Sequence, residues 1–186
     1  MLTASIIGML PRVRDADRNT DWWLSDKYYP WYFNIAKERR PGRILEIGAG
    51  FGYSLATMFR GSGVVNQIVA VDDESWWPGS QRMAGENLRA LDYKGMLDLR
   101  KRSCAEFIRE NAPVRFDMVH VDACYSDILS LWTFVAPYGT MIVDDTLHEA
   151  CVSWHVEAAR PKMLNLAEDR YLPSFRGWWV GKRGPA

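Results

Sequence analysis

Short apolar runs recur along the chain at Ile44 to Ile47, Ile68 to Val71, Phe116 to Val121 and Thr140 to Val143, and each is followed by a glycine or an acid. Runs of that length bounded by turn residues predict buried strands, with Leu97 to Arg100 a short third strand in the same series. Between them the spacing turns helical. The stretch from Ser54 to Arg60 reads as a helix stopped by Gly61-Ser62-Gly63. Pro78-Gly79 opens a second helix through Gln81, Met83, Leu88 and Leu91, Cys104 to Glu110 forms a third, and Ser126 to Val135 a fourth. Pro137-Tyr138-Gly139 then turns the chain into the strand from Thr140. A helix around Val152 to Ala159, a strand within Leu164 to Tyr171 and a final strand from Gly177 to Gly181 complete the series. Strands alternating with helices predict an α/β fold with a mostly parallel sheet, in which right-handed crossovers bring every loop that follows a strand to one edge.

Ahead of the first strand the pattern changes. Residues 1–20 carry Pro11 and the mixed run Arg12-Val13-Arg14-Asp15 and read as an arm. From Asp21 a helix-like segment rich in aromatics runs through Trp22, Trp23, Tyr28, Tyr29, Trp31, Tyr32 and Phe33, broken by Pro30 and ending before Pro41-Gly42. This divides the chain into an arm and aromatic cap over residues 1–40 and a main unit over 41–186, together one globular body.

Composition narrows the class of partner. Lys plus Arg and Asp plus Glu are equal at 23 each in 186 residues, which does not favour nucleic acid. Three cysteines, Cys104, Cys124 and Cys151, make neither a disulfide framework nor a zinc spacing. With no signal-peptide pattern and no apolar run near the roughly 20 residues of a membrane span, a soluble, cytoplasmic protein is expected. Nine tryptophans, several paired as Trp22-Trp23, Trp76-Trp77 and Trp178-Trp179, stand out. Neighbours in a strand face opposite ways, so one member of each pair is expected outside the core, covering a helix, a ligand or a homodimer or higher homo-oligomer interface.

The stretch Leu45-Glu46-Ile47-Gly48-Ala49-Gly50-Phe51-Gly52-Tyr53-Ser54 is a buried strand running into a glycine-rich turn and a helix start. Glycines there permit left-handed torsions and close approach of a ligand, and the helix N-terminus offers N–H donors. Twenty-two residues after Gly50 the second strand ends in Asp72-Asp73, where an acid can bind ribose hydroxyls. The dinucleotide fingerprint would need glycine where Tyr53 stands. The pattern L-E-I-G-A-G-F-G followed by V-D resembles the cofactor motifs of class I S-adenosylmethionine-dependent methyltransferases. That resemblance implies a Rossmann-like, doubly wound sheet of about seven strands with the last antiparallel. It also implies S-adenosyl-L-methionine held by Glu46, Gly48, Ala49, Gly50, Gly52, Tyr53, Ser54, Asp72, Asp73, Trp76, Ser103, Cys104 and Asp122, with Trp76 or Trp77 stacking on the adenine.

Acids also end the fourth and fifth strands, at Asp122 and at Asp144-Asp145. If those strands are neighbours their carboxylates converge, and an all-oxygen set suits a hard cation such as Mg²⁺ or Ca²⁺; the alternative is that Asp144 or Asp145 caps the next helix or binds a backbone N–H. Phe116 to Asp122 with Pro137 to Asp145 resembles the metal-dependent small-molecule O-methyltransferases, over roughly residues 41–150. The resemblance implies Asp122, Asp144 and Asp145 as metal ligands and a small hydroxylated acceptor. Those relatives place a Lys or His base about three residues after the first metal acid, whereas this chain has Tyr125, whose ordinary pKa is near 10. His148 is the other candidate base, and His120 is expected to be buried in its strand. Two further readings stand beside this one: a metal-independent N- or O-methyltransferase, and a cofactor-binding scaffold without catalysis.

Overall fold

The computed structural model describes residues 28–111, 114–147, 150–172 and 177–186. The proposed arm at residues 1–20, the Trp22-Trp23 pair and His148 lie outside the described residues.

The first described helix, α1 (Tyr28–Arg39), buries Tyr29, Tyr32, Ile35 and Ala36, a spacing that puts all four on one face. Pro30 does not break it. It falls in the first turn, where a backbone N–H has no intrahelical acceptor to lose. The chain then alternates: β1 (Arg43–Ile47), α2 (Tyr53–Ser62), β2 (Gln67–Asp72), α3 (Ser80–Ala90), β3 (Met96–Lys101), α4 (Cys104–Asn111), β4 (Phe116–Val121), α5 (Ile128–Trp132), β5 (Val135–Val143), α6 (Ala150–Ala159), β6 (Leu166–Leu172) and β7 (Trp178–Arg183).

These seven strands form one sheet in the order β3-β2-β1-β4-β5-β7-β6. Five run parallel from β3 to β5, while β7 inserts between β5 and β6 and is antiparallel to both. The expected doubly wound sheet with an antiparallel last strand is therefore present. Chain direction across the sheet reverses between β1 and β4, so the loops leaving these two strands part there and open a crevice. Helices α1, α2 and α3 cover one face with Tyr32, Leu55, Met58 and Leu88, and α4, α5 and α6 cover the other with Phe107, Leu131 and Val156. Among the described residues no helix is long and apolar enough to cross a membrane.

Two features correct the sequence expectations. The helix expected from Ser126 to Val135 is a 3-10 turn, Tyr125–Asp127, followed by the short α5, and Val135 already belongs to β5. The apolar Phe134 and Val135 are drawn into the sheet instead: the Phe116 N–H donates to the Phe134 carbonyl at 2.8 Å and Val135 pairs with Phe116. Pro137-Tyr138-Gly139 is accordingly no turn before the strand but an irregularity within it, where the register on β4 shifts and Tyr138 takes a φ of 63°.

The second concerns Trp178 and Trp179, which are 1% and 0% exposed. They do face opposite ways, yet both are core, because β7 is an interior strand with helices over each face. Trp178 stacks on Trp31 of α1 at 4.2 Å, and Trp179 packs on the opposite face and donates from Nε1 to Asp169 at 3.1 Å.

Candidate functional site

The glycine turn sits where β1 hands over to α2. Gly48, Gly50 and Gly52 have φ of 82°, 47° and 75°, and the Gly48 and Ala49 N–H groups both donate to the Val71 carbonyl, tying the turn to the end of β2. Gly52 donates to Ala49 across the turn at 2.8 Å and stands as the N-cap of α2 with no side chain capping it. Around the turn gather Phe51, Tyr53 and Trp77: Phe51 lies 5.8 Å from Tyr53 and 5.6 Å from Trp77, ring centre to ring centre. Of the tryptophan pair it is Trp77 that lies against Gly50, while Trp76 is 84% exposed. The Asn87 amide of α3 donates to the Phe51 carbonyl and pins the turn from the side.

Asp72, at the tip of β2, accepts from the Gly50 N–H at 2.8 Å through one carboxylate oxygen and from the Glu74 N–H at 2.7 Å through the other. Each oxygen retains a lone pair for a further donor. Asp73 is exposed, and hydrogen bonding first from the Ser75 side chain and then from the Ser75 N–H holds its carboxyl below the usual range. Glu74 is pulled down chiefly by Lys101, whose ammonium lies 2.8 Å away. Ser103 caps α4: its hydroxyl oxygen accepts the Glu106 N–H at 3.4 Å and its own N–H donates to the Glu106 carboxylate at 3.0 Å, which is a capping box. Cys104 is buried and its thiol interacts with that of Cys124 in the loop after β4. This contact brings Cys124 down to about 7 and, with burial, pushes Cys104 up.

At the crevice the loop after β4 meets the glycine turn directly, with the Asp122 N–H donating to the Ile47 carbonyl at 2.9 Å. Val121 and Val143 are register partners on adjacent strands, so the acids that follow them emerge side by side. One carboxylate oxygen from each of Asp122, Asp144 and Asp145 lies within 4.8 Å of the others, with Asp122 exposed and the other two buried. Oxygen donors at that separation fit a hard divalent cation. The Tyr125 hydroxyl reaches into the same cluster, 3.3 Å from Asp122 Oδ1 and 3.4 Å from Asp145 Oδ2, and shares its single hydrogen between these two acceptors.

Behind the acids lies a buried polar chain that the sequence reading touched only in part. Glu46 and His120 are register partners on β1 and β4, 0% and 1% exposed, with His120 Nδ1 at 2.5 Å from Glu46 Oε1. The Ser54 hydroxyl donates to the same Glu46 oxygen. His120 Nε2 lies 2.9 Å from the Tyr32 hydroxyl, which donates to Asp144 Oδ2 at 2.8 Å and accepts from Trp178 Nε1 at 3.0 Å. Tyr32 and Trp178 were missed, since residues 88 and 146 positions apart carry no local sign of contact. The visible signal was Glu46 and His120, each a polar residue in the middle of an apolar strand.

A family profile described as a methyltransferase domain matches residues 45–146. The chain is 29% identical to the O-methyltransferase ankF of Aspergillus thermomutatus over 70% of its own length, and spans 61% of that relative. Among solved structures, the O-methyltransferase TomG of Streptomyces achromogenes, in complex with SAM, superposes with a TM-score of 0.71 at 16% identity, covering 97% of this chain and 89% of that one. The O-methyltransferase of Bacillus cereus, in complex with SAH, gives 0.73 at 14% identity over 96% and 90%.

Proposed function

Because the chain belongs to the methyltransferase-domain family, whose profile spans both the glycine turn and the three acids, we propose that it methylates a hydroxyl of a small acceptor from S-adenosylmethionine with the help of a divalent cation. The observation that carries this reading is the convergence of Asp122, Asp144 and Asp145 within 4.8 Å at the crevice shared with the glycine turn. When bound, the cation supplies charge that lowers the pKa of the acceptor hydroxyl, and S-adenosylmethionine supplies the methyl group.

The chain's own residues then hold and orient. The N-terminus of α2 offers backbone donors to the cofactor's methionine end, while the glycine turn, whose N–H groups at 48, 49, 50 and 52 are engaged within the protein, lets the ligand approach closely; Asp72 takes the ribose hydroxyls, and Trp77 offers a stacking face for the adenine. Asp122, Asp144 and Asp145 are the cation's ligands, and Tyr125, bonded to two of them, faces the acceptor's proton. Most of the rate enhancement in such a site comes from holding two reactants together. Among the described residues, Trp76 and Trp154 are the most exposed tryptophans and are available for a homo-oligomer contact.

Two measurements test the reading. Chelation should lower methyl transfer to a panel of phenols and sugars by at least about 100-fold, and added Mg²⁺ should restore it, as expected for several kcal/mol of metal assistance. Activity indifferent to chelator would favour the metal-independent alternative. For the cofactor, Asp72→Ala should weaken binding of S-adenosylhomocysteine about tenfold, near 1.4 kcal/mol, by calorimetry. Unchanged affinity would remove Asp72 from the cofactor site.

A further inference from the structure

We propose that Tyr32, carried by α1, is a positioning residue that fixes the carboxylate of Asp144 in the acid cluster and links it to the glycine turn through His120, Glu46 and Ser54. The inference rests on the metal-assisted reading above, because it is the cation's ligand that Tyr32 would orient.

The argument is one of hydrogen-bond accounting. A tyrosine hydroxyl has one hydrogen and two acceptor positions. The hydrogen goes to Asp144 Oδ2 at 2.8 Å. One acceptor position takes the Trp178 indole N–H at 3.0 Å, which can only donate. The remaining position faces His120 Nε2 at 2.9 Å, and the tautomer with its hydrogen on Nε2 completes the set. A hydroxyl engaged in all three directions has no freedom to rotate, and its hydrogen is aimed at one oxygen of Asp144. The other oxygen of Asp144 accepts the Asp145 N–H at 2.7 Å, so the carboxylate is gripped at both ends.

The partners are themselves buried. Glu46, His120, Tyr32, Asp144 and Trp178 are all 1% exposed or less, and the ring of Trp178 is stacked on Trp31. In so dry a setting a mispointed polar group is costly, so the chain holds one arrangement. Its far end is Ser54, the second residue of α2, whose hydroxyl donates to Glu46 beside the cofactor turn. Partners that orient a metal ligand in this way change metal affinity by roughly 10- to 100-fold when removed.

Tyr32→Phe removes the hydroxyl and keeps the ring packing, so Mg²⁺ alone and S-adenosylhomocysteine alone can be titrated calorimetrically into the whole protein. The expected result is Mg²⁺ affinity lowered about tenfold or more with the S-adenosylhomocysteine affinity within about twofold, and kcat reduced while KM for S-adenosylmethionine stays put. Mg²⁺ binding equal to that of the unaltered protein, where Asp144→Asn abolishes it, would overturn the role of Tyr32. If the unaltered protein or Asp144→Asn shows that Mg²⁺ does not bind at these acids, the metal reading is what has failed. A crystal structure of Tyr32→Phe then decides the positioning role: an Asp144 carboxylate turned from its present rotamer supports it, and an unmoved one refutes it.

Discussion

Replacing Asp144 with alanine should lower kcat by about 10³-fold, some 4 kcal/mol of lost transition-state stabilisation. Asp144 is fully buried, lies in the three-carboxylate cluster and receives hydrogen bonds on both oxygens, from Tyr32 and from the Asp145 N–H. Alanine deletes a proposed metal ligand and also strands the buried Tyr32 hydroxyl, which costs roughly 1–3 kcal/mol of stability in addition. The two losses separate in measurement. Steady-state rates at saturating S-adenosylmethionine report the first, and urea unfolding without added metal reports the second. Asp144→Asn keeps the shape and one carbonyl acceptor, so it should recover most of the stability and little of the rate. An alanine variant with near-normal kcat would show that the acids take no part in the reaction.

Gly48→Ala should destabilise the fold by about 3 kcal/mol, combining the left-handed backbone cost with overpacking. At φ 82° a Cβ would lie 2.8 Å from both the Ala123 Cβ and the Asp122 carbonyl oxygen, neither of which can swing away like a flexible chain end. Relief requires parting the glycine turn from the loop after β4, the two segments that frame the crevice. Cofactor binding should therefore fall below detection in calorimetry even where the protein remains folded. Gly63→Ala is the control: its φ is 67° but a Cβ there meets nothing within 4 Å, so about 1 kcal/mol is expected. Equal losses at the two positions would mean that contact with Asp122 and Ala123 contributes nothing.

Much of this was legible in the residues. Apolar runs ending in Gly48, Asp72, Asp122 and Asp144 marked both the central strands and the edge at which a site would lie, because a strand buried on both faces carries few polar positions, here Glu46 and His120, to blur its ends. The convergence of the acids followed from one further assumption, that β4 and β5 are neighbours, and the register bears it out. What could not be read depended on partners distant in sequence. Tyr32 looks like one aromatic among many in α1 until the fold sets it over His120 and Asp144. Trp178 and Trp179 were judged by strand alternation, which is correct about direction and silent about whether a helix waits on each side. The shortening of α5 turned on whether Phe134 and Val135 gain more from a helix or from a ladder with Phe116, a contest settled by tertiary pairing.

The position of β7 bears on the order in which this protein can assemble. β6 precedes β7 in the chain but reaches the rest of the sheet only through it. As the polypeptide emerges from the ribosome, β1 to β5 can pair one after another, yet β6 must wait with no neighbour. The edge of β5 stays open until Trp178–Arg183 arrives, and so does the place where Trp178 meets Tyr32. A nascent chain halted before that segment would expose an unpaired β5 edge and two half-built apolar layers, a form prone to associate with other chains.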